Sequence, residues 1–222
     1  EDVPDAMKVM VLLENANLEL VQLHKGGKQE LANVDEHKSY MKKHKMDLND
    51  GRPDILHQCL LALMDSPLNK AGRLQVYIRT KKNVLIEVHP QTRIPRTFKR
   101  FCGLMTELLQ KMKIRATNSP DPLLKVIRNP ITSHLPVGCK RTLCESGRDL
   151  VDVRQHAARR VRAICDAPEA GTSVLYVVGA MSHGDVEAEW ADDAVSVSEY
   201  PLSAATVCFR VANAYEEVLG II

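Results

Sequence analysis

The strongest constraint on the fold lies in the last third of the chain, where a strand, a glycine turn, a second strand and a long helix follow one another. Val174 to Val178 is an apolar run that Gly179-Ala180-Met181-Ser182-His183-Gly184 follows directly. Ala194 to Val197 reads as another strand, and Leu202 to Leu219 as a largely apolar helix. This order predicts an α/β sheet. Arg210, Asn213 and Glu217 leave only a narrow polar stripe on the helix, so burial against a partner or in a dimer is expected.

Upstream, Met7 to Leu13 reads as a buried strand, Asn15 to Asn17 as a turn, and Leu18 to Leu23 as a second short apolar run. Residues 24–50 are polar and lysine-rich, a loop with some helix. Pro53 suits a helix first turn, and Ile55, Leu56, Cys59, Leu60 and Leu63 follow at helical spacing until Ser66-Pro67. Leu74 to Thr80 and Val84 to His89 form a hairpin around Lys81, Lys82 and Asn83. From Thr97 to Met112 a helix gathers Phe98, Phe101, Cys102, Met105, Leu108, Leu109 and Met112 on one side, with Arg96, Arg100, Glu107 and Lys111 opposite.

Composition narrows the function classes. An apolar fraction of 45% over 222 residues can bury a full core in one domain. No segment approaches the roughly 18 to 20 apolar residues that cross a bilayer, and the N-terminus has no signal-peptide pattern. A soluble intracellular protein with no membrane partner is therefore expected. Cys59, Cys102, Cys139, Cys144, Cys165 and Cys208 are scattered without CxxC or zinc-finger spacing, so free thiols and no metal are expected. The net charge of +2 hides a segregation. Residues 70–115 carry twelve basic residues against Glu87 and Glu107, whereas acids collect between Asp166 and Glu199. One face should therefore attract a polyanion.

Three constellations can carry chemistry. Arg93, Arg96, Lys99 and Arg100 lie within and after the segment from Pro90 to Arg96, which holds two prolines, Pro90 and Pro95. Guanidinium groups one turn apart share a helix face and grip phosphate oxygens in fork geometry. A merely solvated basic face fits the same spacing, but the stiffened backbone favours a preorganised site. The Gly179 to Gly184 turn ends a strand where α/β folds bind nucleotides, although a turn without a ligand, and a surface role for His183, fit equally. In Val197-Ser198-Glu199-Tyr200-Pro201-Leu202, Pro201 deletes a donor and leaves neighbouring backbone groups for some other partner. A simple strand-to-helix connection fits as well.

Together the stretches RPDILHQCLLALMDSPLNKAG, LQVYIRT, VLIEVHPQTRIPRTFKRFCGLM, LLKVIRNPIT with HLP, VVGAM followed by HG, and YPLSAA resemble one family from about residue 52 onward. It is the nucleolar essential (essential-for-mitotic-growth) family of small-subunit rRNA methyltransferases specific for pseudouridine N1. Where that family carries Asn before Tyr-Pro-Leu and Asp before His-Leu-Pro, this chain has Glu199 and Ser133. The resemblance implies an α/β SPOUT fold with a C-terminal trefoil knot, a rare topology that no pattern argument reaches. It also implies one domain over residues 1–222, with a basic hairpin extension at about 70–96 and a divergent insertion at about 142–171.

By the same resemblance S-adenosyl-L-methionine is the cofactor, with Cys144, Gly179, Gly184 and Val197, Ser198, Glu199, Tyr200, Pro201 and Leu202 around it. Arg52, Arg93, Arg96 and Arg100 are placed on rRNA, with Asp54 holding Arg52. The implied setting is the nucleolus, as a homodimer among pre-ribosomal assembly factors.

The reaction this implies is direct methyl transfer to an extruded base, governed by alignment of the reacting atoms. No residue's context marks it as the base that takes the N1 proton. Two other classes remain for comparison. A non-catalytic assembly factor would keep the arginines without the pocket. A Rossmann methyltransferase would need its glycine loop after the first strand, not near the end.

Overall fold

A computed structural model of the chain describes residues 3, 4, 6–116 and 121–222. The strands are β1 (Lys8–Ala16), β2 (Leu20–Gln22), β3 (Gln29–Leu31), β4 (Leu74–Thr80), β5 (Leu85–Val88), β6 (Lys113–Arg115), β7 (Pro122–Ile127), β8 (Lys140–Leu150), β9 (Ser173–Gly179) and β10 (Asp193–Ser196). The helices are α1 (Val34–Lys43), α2 (Pro53–Met64), α3 (Pro67–Lys70), α4 (Phe98–Lys111), α5 (Val153–Asp166) and α6 (Ala204–Leu219).

Eight strands form one sheet in the order β10-β8-β9-β1-β4-β5-β7-β6, and β2 pairs with β3 separately. Neighbours from β10 to β4 are parallel, and those from β4 to β6 antiparallel. After β9 the chain crosses beyond β8 to β10, then returns as α6 to pack on α2, α5 and β9.

The period-two rule divides the core between the two faces of the sheet. Val9, Val11 and Leu13 of β1 join the larger cluster with Leu56, Leu60 and Tyr215, while Met10 and Leu12 join the smaller one with Leu175 and Val177. In α2, Leu56, Cys59, Leu60 and Leu63 are fully buried at the predicted helical spacing. Truncating such a leucine to alanine costs about 2–5 kcal/mol. Glu216 of α6, also buried, accepts from the Leu68 amide at 3.0 Å and so serves the first turn of α3.

Several expectations are corrected. Residues 24–50 are not mainly loop: they hold β3 and the ten-residue α1. The helix has few apolar residues and buries His37 and Met41, but its ends are well marked. Asn33 accepts from the Asp35 amide at 3.1 Å, acids occupy the first turn and lysines the last. Met112 is not on the packed arc of α4. It is the left-handed C-cap at φ 62° and is exposed.

The final helix begins two residues later than expected, because Ser203 caps it by accepting from the Thr206 amide at 3.2 Å. Its outer surface also carries Phe209, exposed beside Arg210. Residues 142–171, expected as a divergent insertion, contribute most of β8 and all of α5, both packed into the sheet and its helical layer. The 70–96 hairpin likewise lies within the main sheet through β4 and β5. No helix among the described residues is long and apolar enough to cross a membrane.

Candidate functional site

A cleft of 510 Å³ opens at the carboxyl ends of β9 and β10. That is where parallel strands present their free backbone ends to a ligand. Three segments form its walls: Cys144 to Ser146 from β8, Val178 to Val186 around the β9 turn, and Ser196 to Ala205 leading into α6. Arg52, Asp54, Ile55 and Gln58 from the start of α2 close the remaining side.

Of the residues expected around a cofactor, Cys144, Gly179, Gly184, Val197, Ser198, Tyr200, Pro201 and Leu202 all line this cleft. Glu199 does not. It is exposed, in the turn that places Tyr200 and Pro201 on the wall. That turn is internally braced, with the Ser196 hydroxyl donating to the Ser198 carbonyl at 2.8 Å and the Tyr200 amide donating to Ser198 Oγ at 3.0 Å.

Glycine is required at both ends of the β9 turn for different reasons. A Cβ on Gly179 would stand 2.9 Å from Val186 Cγ2, so any side chain there would crowd the wall. Gly184 has open space but φ of +100°, which side-chain-bearing residues rarely adopt.

Burial, with a smaller contribution from Asp193, pushes the Cys144 thiol up to about 12. It stays protonated at neutral pH and acts as a wall, neither nucleophile nor proton acceptor.

Two cationic groups stand apart. Arg52 lies on the cleft wall, donating from Nε and Nη2 to the two Asp54 oxygens at 2.8 and 2.7 Å. This fork fixes the guanidinium plane. Arg93 and Arg96 line a separate hollow of 420 Å³ at the far end of α2, where Arg96 Nη2 donates to Asp65 Oδ2 at 2.7 Å. Arg100 is exposed on α4 and borders neither cavity.

A further cavity of 490 Å³, not foreseen from the sequence, shares Met181 to Asp185 with the cleft. Its wall includes Glu14, buried in β1, whose carboxylate accepts from Arg79 Nε at 2.8 and 2.9 Å. The available signal was a carboxylate closing an apolar strand, since a buried charge needs a partner.

The EMG1/NEP1 methyltransferase family profile matches residues 11–216. The chain belongs to this family. It is 51% identical over 216 residues to the ribosomal RNA small subunit methyltransferase NEP1 of Mus musculus, covering 97% of this chain and 83% of the relative. Identity to the Homo sapiens protein of the same name is 50% over the same span. A crystal structure of Archaeoglobus fulgidus Nep1 bound to S-adenosylhomocysteine superposes with a TM-score of 0.78 at 26% identity, covering 96% of this chain and all of that one. The fold is accordingly the SPOUT, or α/β trefoil-knot, methyltransferase fold.

Proposed function

We propose that this EMG1/NEP1 family member transfers a methyl group from S-adenosyl-L-methionine to N1 of a pseudouridine in small-subunit ribosomal RNA. One observation carries the reading: the Gly179 to Gly184 turn and the Val197 to Leu202 turn meet as two walls of one cleft, with Arg52 beside them.

The cofactor supplies an already activated methyl group, so the protein's contribution is alignment. Gly179 permits close approach of the cofactor, Val197 and Leu202 give apolar wall, and the Asp54-oriented Arg52 is placed to hold a phosphate or carbonyl of the RNA. Arg93, Arg96 and Arg100 extend the cationic surface along the RNA. The same reading places the protein in the nucleolus, in small-subunit biogenesis with other assembly factors. It assigns the exposed Phe209 and Arg210 of α6 to a homodimer.

The test is methyl transfer from labelled cofactor to two hairpins that differ only in carrying pseudouridine or uridine. Product with pseudouridine alone supports the assignment. Product with both removes the base specificity, and product with neither leaves an RNA-binding assembly factor.

A further inference from the structure

Helix α2 serves two cavities. Its first turns line the cofactor cleft through Ile55 and Gln58, and its last turns line the 420 Å³ hollow through Leu61, Met64 and Asp65. From Ile55 to Met64 the axis advances about 14 Å at about 1.5 Å per residue. The two cavities share no lining residue.

The hollow is built in two zones. Met64 and Ile94 are buried and Leu61 half-buried, which gives an apolar floor, while Lys70, Arg93 and Arg96 stand around the rim. Asp65 is held between two of these cations, accepting from Arg96 at 2.7 Å with Lys70 Nζ at 3.8 Å. An apolar floor under a cationic rim is complementary to an unpaired nucleotide: the base faces lose water below and the phosphate stays with the cations above.

The hollow is also held open. Asn69 Nδ2 donates to the Pro90 carbonyl at 2.9 Å, Thr92 Oγ1 to the Leu123 carbonyl at 2.7 Å, and His57 Nε2 to the Pro95 carbonyl at 2.7 Å. All three side chains are buried. The loop that carries Arg93 and Arg96 is thus ordered before any ligand arrives, which lowers the entropy cost of binding.

We propose that this hollow is a second nucleotide subsite, receiving an unpaired base of the RNA distant from the base presented to the methyl donor. The proposal rests on the RNA-substrate reading above. It turns a generic basic surface into a site that reads the presence of one particular loop base.

The test is an abasic scan of a small-subunit rRNA hairpin against native protein, Leu61→Phe, which fills the hollow, and Leu61→Met, which conserves volume. In the native protein, removing one loop base other than the methylated one should weaken binding about tenfold. L61F should lose about the same on intact RNA, and the two losses should not multiply. L61M should behave as native, and L61F should keep its cofactor-induced rise in melting temperature. Native binding with no abasic position coupled to Leu61 overturns the subsite alone. Failure of the native protein to bind any hairpin overturns the RNA reading and the subsite with it.

Discussion

The imidazole Nε2 of His57 donates to the carbonyl oxygen of Pro95 at 2.7 Å, while its ring stacks on Phe101 with centroids 4.4 Å apart. One buried side chain thereby joins α2, the arginine loop and α4. The cofactor cleft and the basic surface are built on a common strut. His57→Ala leaves the half-buried Pro95 carbonyl without its donor, at about 1–3 kcal/mol. Urea unfolding should show that loss, and RNA affinity should fall with it. His57→Gln, which retains a donor, should recover part of both, whereas equal losses in the two variants would remove the hydrogen bond's role.

The Arg52–Asp54 pair is partly exposed on both sides, so its contribution to stability is small. Asp54→Ala should shift stability by less than about 1 kcal/mol and leave cofactor affinity close to native. Single-turnover methyl transfer should nevertheless drop by about tenfold or more, because an unheld guanidinium no longer aligns the RNA. A parallel fall in cofactor affinity would relocate the role of Arg52.

Two glycines with open space around them should respond in opposite directions. Gly184→Ala meets no atom but must hold φ near +100°, at about 1–3 kcal/mol. Gly103 lies within α4, and an added Cβ there also meets nothing within 4 Å. Gly103→Ala should therefore stabilise by about 0.4–1 kcal/mol. Thermal melts of the two variants read this directly.

His156 is buried on α5, its ring edge against Tyr176 with centroids 6.0 Å apart. Burial, reinforced by the nearby Arg160 cation, holds its pKa below the usual histidine range. The unfolded chain therefore takes up this proton before the folded one does. Stability should fall as pH drops below about 6.5, and replacing His156 by Phe should flatten that part of the profile. An unchanged slope in the variant would assign the acid sensitivity to other groups.

Much of the fold was legible because apolar spacing reports burial wherever an element packs on one face. In α2 Leu56, Cys59, Leu60 and Leu63 and in α4 Phe101, Met105 and Leu108 are buried as expected, whereas Ile55, Phe98, Cys102 and Leu109 are half-buried and Met112 is exposed where the chain reverses into a left-handed cap. The hairpin of β4 and β5 followed from two apolar runs around Lys81 and Lys82. What escaped were elements with weak periodicity. The outer half of β8 is exposed, and in α5 the small stripe of Val153, Ala157, Val161 and Ile164 is interspersed with Arg154, Arg159, Arg160 and Arg162, which give the segment a polar reading.

The cleft was legible by a different route. Gly179 and Leu202 are 23 positions apart in the chain, and no local pattern brings them together. Their meeting depends on the crossing from β9 to β10, visible beforehand only through resemblance to a family. The 490 Å³ cavity at Glu14 and Arg79 required a long-range ion pair that spacing cannot reveal.

In the proposed function, the walls at Gly179 and at Val197 to Leu202 enclose the methyl donor. Calorimetry of S-adenosylhomocysteine against native protein and Gly179→Val tests it most directly, because the added side chain would project against Val186 inside the cleft wall. One site per chain is expected in the native protein and loss of binding in the variant, with the fold retained by circular dichroism. Absence of binding to the native protein, or undiminished binding to a folded Gly179→Val, would contradict it.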